Sequence, residues 1–194
     1  MLNRDKKLAQ IAANDNDTYA KRKLAMEAIK DEHLINRLAE TAKDDWIRLE
    51  SAIVCNNRRV LRELRYHKDE QIQIEAAIAL NDQKSLATIV LESADYLHRD
   101  RALKHITNKK ILKDIVERCN FEKERAETAL RLRDQEITKK LIPKILDEKL
   151  KLQMAESVND TETLNEITWN ASDNRIRQFA SEWLSGLKPE SDID

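Results

Sequence analysis

Apolar residues recur along the chain in a beat of about 26 residues, run seven times from near the first residue to near the last. Leu8, Ile35, Leu61, Leu86, Leu112, Thr138 and Leu164 hold one equivalent position. Ile11, Leu38, Leu64, Ile89, Ile115, Leu141 and Ile167 follow three residues later each time. An i, i+3 pair lies on one face of a helix, so each unit opens with a helix A. Further along the unit, apolar or small residues fall at i, i+4 and i+8, as in Ile72/Ala76/Leu80, His98/Ala102/Ile106, Leu150/Met154/Val158 and Ile176/Ala180/Leu184. That second stripe predicts a helix B. With two turns in each unit, a helix has room for roughly ten residues, about 15 Å. Helices this short do not form alone in water, so the pattern predicts units that bury their apolar faces against their neighbours.

Polar positions supply the punctuation. Asp44, Asp69, Asp95, Asp147 and Asp173 stand just before helix B, where an N-cap carboxylate accepts from free backbone N–H groups and suits the positive end of the helix dipole. Asp31, Asn57, Asp82, Asn108, Asp134 and Asp160 sit four residues before the next A-helix apolar residue and mark the B-to-A turn. The small length changes also fall in turns, near Asn14–Thr18 and near His67–Asp69. Pro143 lies inside helix A of the sixth unit and predicts a kinked or shortened helix there.

Composition agrees with a continuous helical assembly. The 194 residues include one glycine and two prolines, and 37% are charged. No boundary interrupts the beat, so one domain is expected over residues 1–186, followed by a disordered tail over 187–194. The formal net charge of −1 gives no global push toward nucleic acid or an anionic membrane. Cys55 and Cys119 have neither a disulfide-framework nor a metal-site spacing, which points to a reducing compartment. The first residues lack an apolar signal core, and no run of 18 apolar residues occurs, so a soluble, cytoplasmic protein is expected.

The repeat resembles the short bacterial HEAT-like repeat, roughly Leu-x-x-Ile-Ala-x-x-Asp, a turn, then Val-Arg-x-x-Ala-x-x-x-Leu-x-Asp. Leu8, Ile11, Ala12 and Asp15, then Arg22, Ala25, Ile29 and Asp31, carry the likeness in the first unit. The resemblance runs over nearly the whole chain. It implies an all-α fold, a right-handed α-solenoid of about seven two-helix repeats, and says little about activity. Enzymes of similar repeat type include the deoxyhypusine hydroxylases, whose His-Glu dipeptides hold two irons. Here the four histidines precede Leu34, Lys68, Arg99 and Ile106, so that signature is missing. No cofactor or metal is expected, and a non-enzymatic role is.

Four groups of residues are candidates for binding. A basic ladder, Arg22, Arg48, Arg99, Arg125, Lys151 and Arg177, broken at Gln73, keeps the beat of the repeat. It would either hold phosphates or pair with the N-cap aspartates of adjacent units. A second basic cluster lies between His98 and Lys140, where 13 Lys/Arg face 8 Asp/Glu, and includes Arg101, Lys104, His105, Arg131 and Arg133. Arg58, Arg62 and Arg65 form a further line beside Tyr66. Leu49, Ile53, Ile74 and Ile78 on helix B replace residues that are polar in other units, and would form either a groove for a partner or a thicker core. Trp169 falls in a column of mixed character and is expected to be half exposed. Phe179 and Trp183 would close the last unit, and Trp46 would pack in a turn. The leading reading is a scaffold that binds another protein or peptide through an inner surface lined by helix B. The alternative is a nucleic-acid-binding solenoid that uses the basic patches, with alkylpurine-glycosylase-like chemistry as one form of it.

Overall fold

The structure is a computed structural model that describes residues 2–186, and the expected tail over 187–194 lies outside the described residues. Among the described residues there are fourteen α-helices, one 3-10 turn and no strand. The chain divides into two compact units, Met1–Ile106 and Thr107–Asp194.

The first unit holds α1 (Leu2–Ala12), α2 (Tyr19–Glu27), α3 (Glu32–Thr41), α4 (Asp45–Val54), α5 (Arg58–Leu64), α6 (Glu70–Leu80), α7 (Gln83–Glu92) and α8 (Tyr96–Lys104). They pack in consecutive pairs, α1 with α2 through α7 with α8, and the second helices of successive pairs also touch, α2 with α4, α4 with α6 and α6 with α8. One core cluster joins Ala12, Ala25, Met26, Ile29, Ile35 and Leu38 across the first two pairs. The next joins Ala39, Leu49, Ala52, Val60, Leu61, Leu64, Ile72 and Ala76 across the second and third, with Trp46 packed against it. The first pair thus completes its core with residues of the second, and the second with residues of the third.

The second unit holds α9 (Lys109–Arg118), α10 (Glu122–Leu132), α11 (Gln135–Leu141), the 3-10 turn Ile142–Lys144, α12 (Glu148–Ser157), α13 (Thr161–Asn170) and α14 (Asn174–Leu184). Here α9 packs with α10, α13 with α14, and α10, α12 and α14 touch in succession. Pro143 acts as expected: α11 has only seven residues, and the chain continues as the 3-10 turn with the proline in it. Thr138, at the apolar position, is buried with its hydroxyl donating to the Asp134 carbonyl at 3.0 Å, so no polar atom is stranded there. Phe179 and Trp183 are half-buried on α14.

The leucine columns become the core. From Ile35/Leu38 to Leu164/Ile167 both apolar positions are buried in every pair, and Leu8/Ile11 are half-buried. The caps hold as well. Thr18, Asp31, Asp44, Asn57, Asp69, Asp82, Asp95, Asn108, Asp134, Asp147, Asp160 and Asp173 each accept a backbone N–H at the start of a helix. The exception is α10, whose N-cap is Phe121 and carries no side-chain cap bond. After α4, α6, α10 and α12 the chain reverses through a left-handed residue: Asn56, Asn81, Arg133 and Asn159, all with φ between 51° and 54°.

Candidate functional site

The basic ladder lies on the more buried side of the second helices, with Arg48, Gln73, Arg125, Lys151 and Arg177 half-buried. Arg22 and Arg99 are more than nine-tenths buried. A buried guanidinium must find acceptors. Arg22 reaches Asp44, the N-cap of the next second helix, at 2.8 Å, the pairing the sequence suggests. The others settle differently. Arg99 donates to the Ser93 and Ala94 carbonyls at 3.0 Å, Arg177 to the Ala171 carbonyl, and Gln73 to the His67 carbonyl. Gln73, Arg99 and Arg177 share one bond, to the carbonyl six residues back in the turn before their own helix. The shared chemistry is a donor to a turn carbonyl, which explains how neutral Gln73 can stand in a column of cations.

A further set of bonds between neighbouring pairs comes from the residue just after the N-cap of a second helix. Asp45 meets His67 Nε2 at 3.0 Å, and Glu70 accepts from the Ser93 hydroxyl at 2.7 Å. Glu122 accepts from the Leu146 and Asp147 backbone N–H groups at 3.1 and 2.8 Å. Glu148 accepts from those of Ser172 and Asp173 at 2.8 and 3.4 Å. Each acid therefore reaches the corresponding turn of the following pair. In sequence these acids look like ordinary complements to the helix dipole, which hides their second partner.

The apolar group splits in two. Leu49 and Ile74 are fully buried core residues, which removes them from any exposed surface. Ile53 on α4 is 42% exposed and Ile78 on α6 is half-buried. The outward side of the first unit's second helices carries further apolar residues that the 26-residue pattern does not mark: Leu24 on α2 (68% exposed), Val54 at the end of α4 (59%) and Leu97 on α8 (57%). At about 100° per residue, Leu24, Ile53, Val54, Ile78 and Leu97 all fall opposite the buried ladder. The signal was available as helical position relative to the ladder residue.

Charged residues on the same side are largely neutralised by one another. Arg101 makes a two-point bond to Glu75 at 3.1 and 3.2 Å, and Lys104 pairs with Asp100 at 2.7 Å. His105 ends α8, and its carbonyl accepts from Gln83 Nε2 at 3.0 Å. Arg65 is held by Asp82 and lies over the Tyr66 ring, 4.6 Å from its centre, while Arg58 and Arg62 are exposed. Arg131 and Trp169 belong to the second unit, on α10 and α13; Arg131 is exposed and Trp169 is 81% exposed, more than the half expected.

Neither cysteine is in a disulfide, and burial pushes the Cys55 thiol above its ordinary value. Among the described residues, no group of three or more His, Cys, Asp or Glu side chains is placed to hold a metal ion. No helix among them is long and apolar enough to cross a membrane. No protein-family model matches the chain, and no curated protein or solved structure matches it either.

Proposed function

We propose that the chain is a right-handed α-solenoid of seven short HEAT-like hairpins that serves as a non-enzymatic scaffold for another protein. The solenoid reading is supported by the 26-residue beat, by core clusters that each span two successive helix pairs, and by Glu122 and Glu148, which reach the next turn at the same offset. The partner surface is the outward side of α2, α4, α6 and α8, with Ile53, Val54, Ile78, Leu24 and Leu97 as apolar contacts and Arg101 and Lys104 at its charged edge.

The observation that carries the reading is this run of exposed aliphatic residues on successive packed helices, bordered by ion pairs rather than by open charge. Protein partners favour apolar centres with polar rims. The nucleic-acid alternative draws less support, because Arg101, Lys104, Arg59, Lys113 and Arg118 are each paired with a carboxylate. An Ile53→Asp/Val54→Asp double variant tests the proposal. It should keep its helical content and melting temperature and lose the protein that the unsubstituted chain captures from its native host. Equal capture by the variant would overturn the assignment of this surface. Retention of duplex nucleic acid at low salt, falling steeply as salt rises, would favour the alternative.

A further inference from the structure

In the second unit, Arg125, Lys140 and Lys144 line one groove of about 340 Å³ together with Glu117 and the apolar side chains of Val116, Ile137 and Leu141. The neighbouring groove of the same unit is built alike, but there the ladder cation Lys151 is neutralised by Glu166 at 3.1 Å. In the first unit Arg48 meets Glu63 at 3.6 Å, with the same spacing of fifteen residues between cation and acid. Fifteen residues beyond Arg125 the chain carries Lys140 instead. The acid that meets the ladder cation in those two places is replaced here by a second cation.

The consequence is a concentration of unspent positive charge. Among the described residues, the side chains of Arg125, Lys140 and Lys144 make no hydrogen bond or ion pair, and Arg125 Nε is buried without an acceptor. Arg22, Arg48 and Arg65 also have a buried, unbonded Nε, but their terminal nitrogens are each bonded to a carboxylate. Three cations against the single carboxylate of Glu117 leave a groove that repels itself when empty. A guanidinium and two ammonium groups offer donors in the number and charge that a phosphoryl group accepts.

We propose that this groove is an oxyanion site for a phosphoryl group, free or carried on a small organic molecule whose apolar part lies against Val116, Ile137 and Leu141. The site is independent of the partner surface on the first unit. Its probes are inorganic phosphate and phenyl phosphate, titrated at constant ionic strength and followed by backbone amide shifts of the full chain. Saturable shifts confined to residues 116–144 are expected. Tighter binding of phenyl phosphate would identify an organic phosphate as the ligand, and equal binding would identify the free ion.

The decisive variant is Lys140→Glu, which places at this position the acid that Glu166 supplies in the neighbouring groove. Lys140 is exposed, so the change should leave the melting temperature unchanged or raise it, while phosphate affinity falls at least tenfold. Lys144→Gln should weaken binding more mildly. Absence of saturable binding, shifts scattered over the whole surface, or unchanged affinity in Lys140→Glu would each overturn the proposal.

Discussion

The Glu148 carboxylate accepts a hydrogen bond from the Ser172 backbone N–H at 2.8 Å and another from the Ser172 hydroxyl at 3.0 Å. These bonds tie the start of α12 to the turn before α14. The Ser172 backbone bond in particular holds the Glu148 carboxyl below the usual carboxylate range, against a smaller opposing effect of desolvation. A carboxyl with a depressed native pKa stabilises the fold above its unfolded pKa of about 4.3, and that contribution is lost as pH falls through the native value. Glu148→Gln should therefore lower the melting temperature at neutral pH, and the difference should close as pH falls below the native value. Melts across that range check it. A gap that persists in acid would mean that the charge on Glu148 is not what holds the turn.

Arg133 takes the left-handed conformation, with φ of 52°, that Asn56, Asn81 and Asn159 take after three other second helices. Asparagine tolerates this region through local hydrogen bonding, whereas arginine pays the steric cost of its Cβ. Arg133→Asn should raise stability by about 0.5–1 kcal/mol. A urea midpoint that moves upward with an unchanged slope is the expected result.

Leu49 and Ile53 are four residues apart on α4, yet they answer differently to truncation. Leu49→Ala opens a cavity in the cluster of Ala52, Leu61 and Ile72 and should cost about 2–5 kcal/mol. Ile53→Ala removes a side chain that is 42% exposed and should cost about 1 kcal/mol or less. Similar costs for the two would place Ile53 in the core.

Gln73 separates donor from charge. Gln73→Arg should leave stability within about 0.5 kcal/mol, because either side chain can donate to the His67 carbonyl. Gln73→Leu removes the donor and should cost about 1 kcal/mol. Chemical denaturation of both variants distinguishes them, and a neutral Gln73→Leu would remove the turn-carbonyl role.

Much of the helical framework was legible because its causes are local and periodic. The leucine columns predicted buried positions, the aspartates predicted caps, and Pro143 predicted a truncated α11. Phe121 stands where five other units carry the N-cap aspartate, and α10 accordingly starts without a side-chain cap. The apolar group divides between core and surface for a geometric reason. Leu49 lies one residue past the ladder position Arg48, about 100° from the centre of the buried side and still within it. Ile53 lies five residues past, about 140° away, and emerges. A linear pattern gives both the same weight. The acids Glu122 and Glu148 were legible as helix-start residues, but their bonds to a turn 24 and 25 residues later depend on how pairs stack.

Native-state hydrogen exchange on an Ile167→Ala variant tests most directly whether short helix pairs are held up by their neighbours. Ile167 is buried in α13, and its truncation should cost about 2–5 kcal/mol. Nearest-neighbour stacking predicts that protection falls in α12, α13 and α14 while amides of α2–α4 keep theirs. An equal loss of protection along the whole chain would mean one shared cooperative core, and would contradict the account.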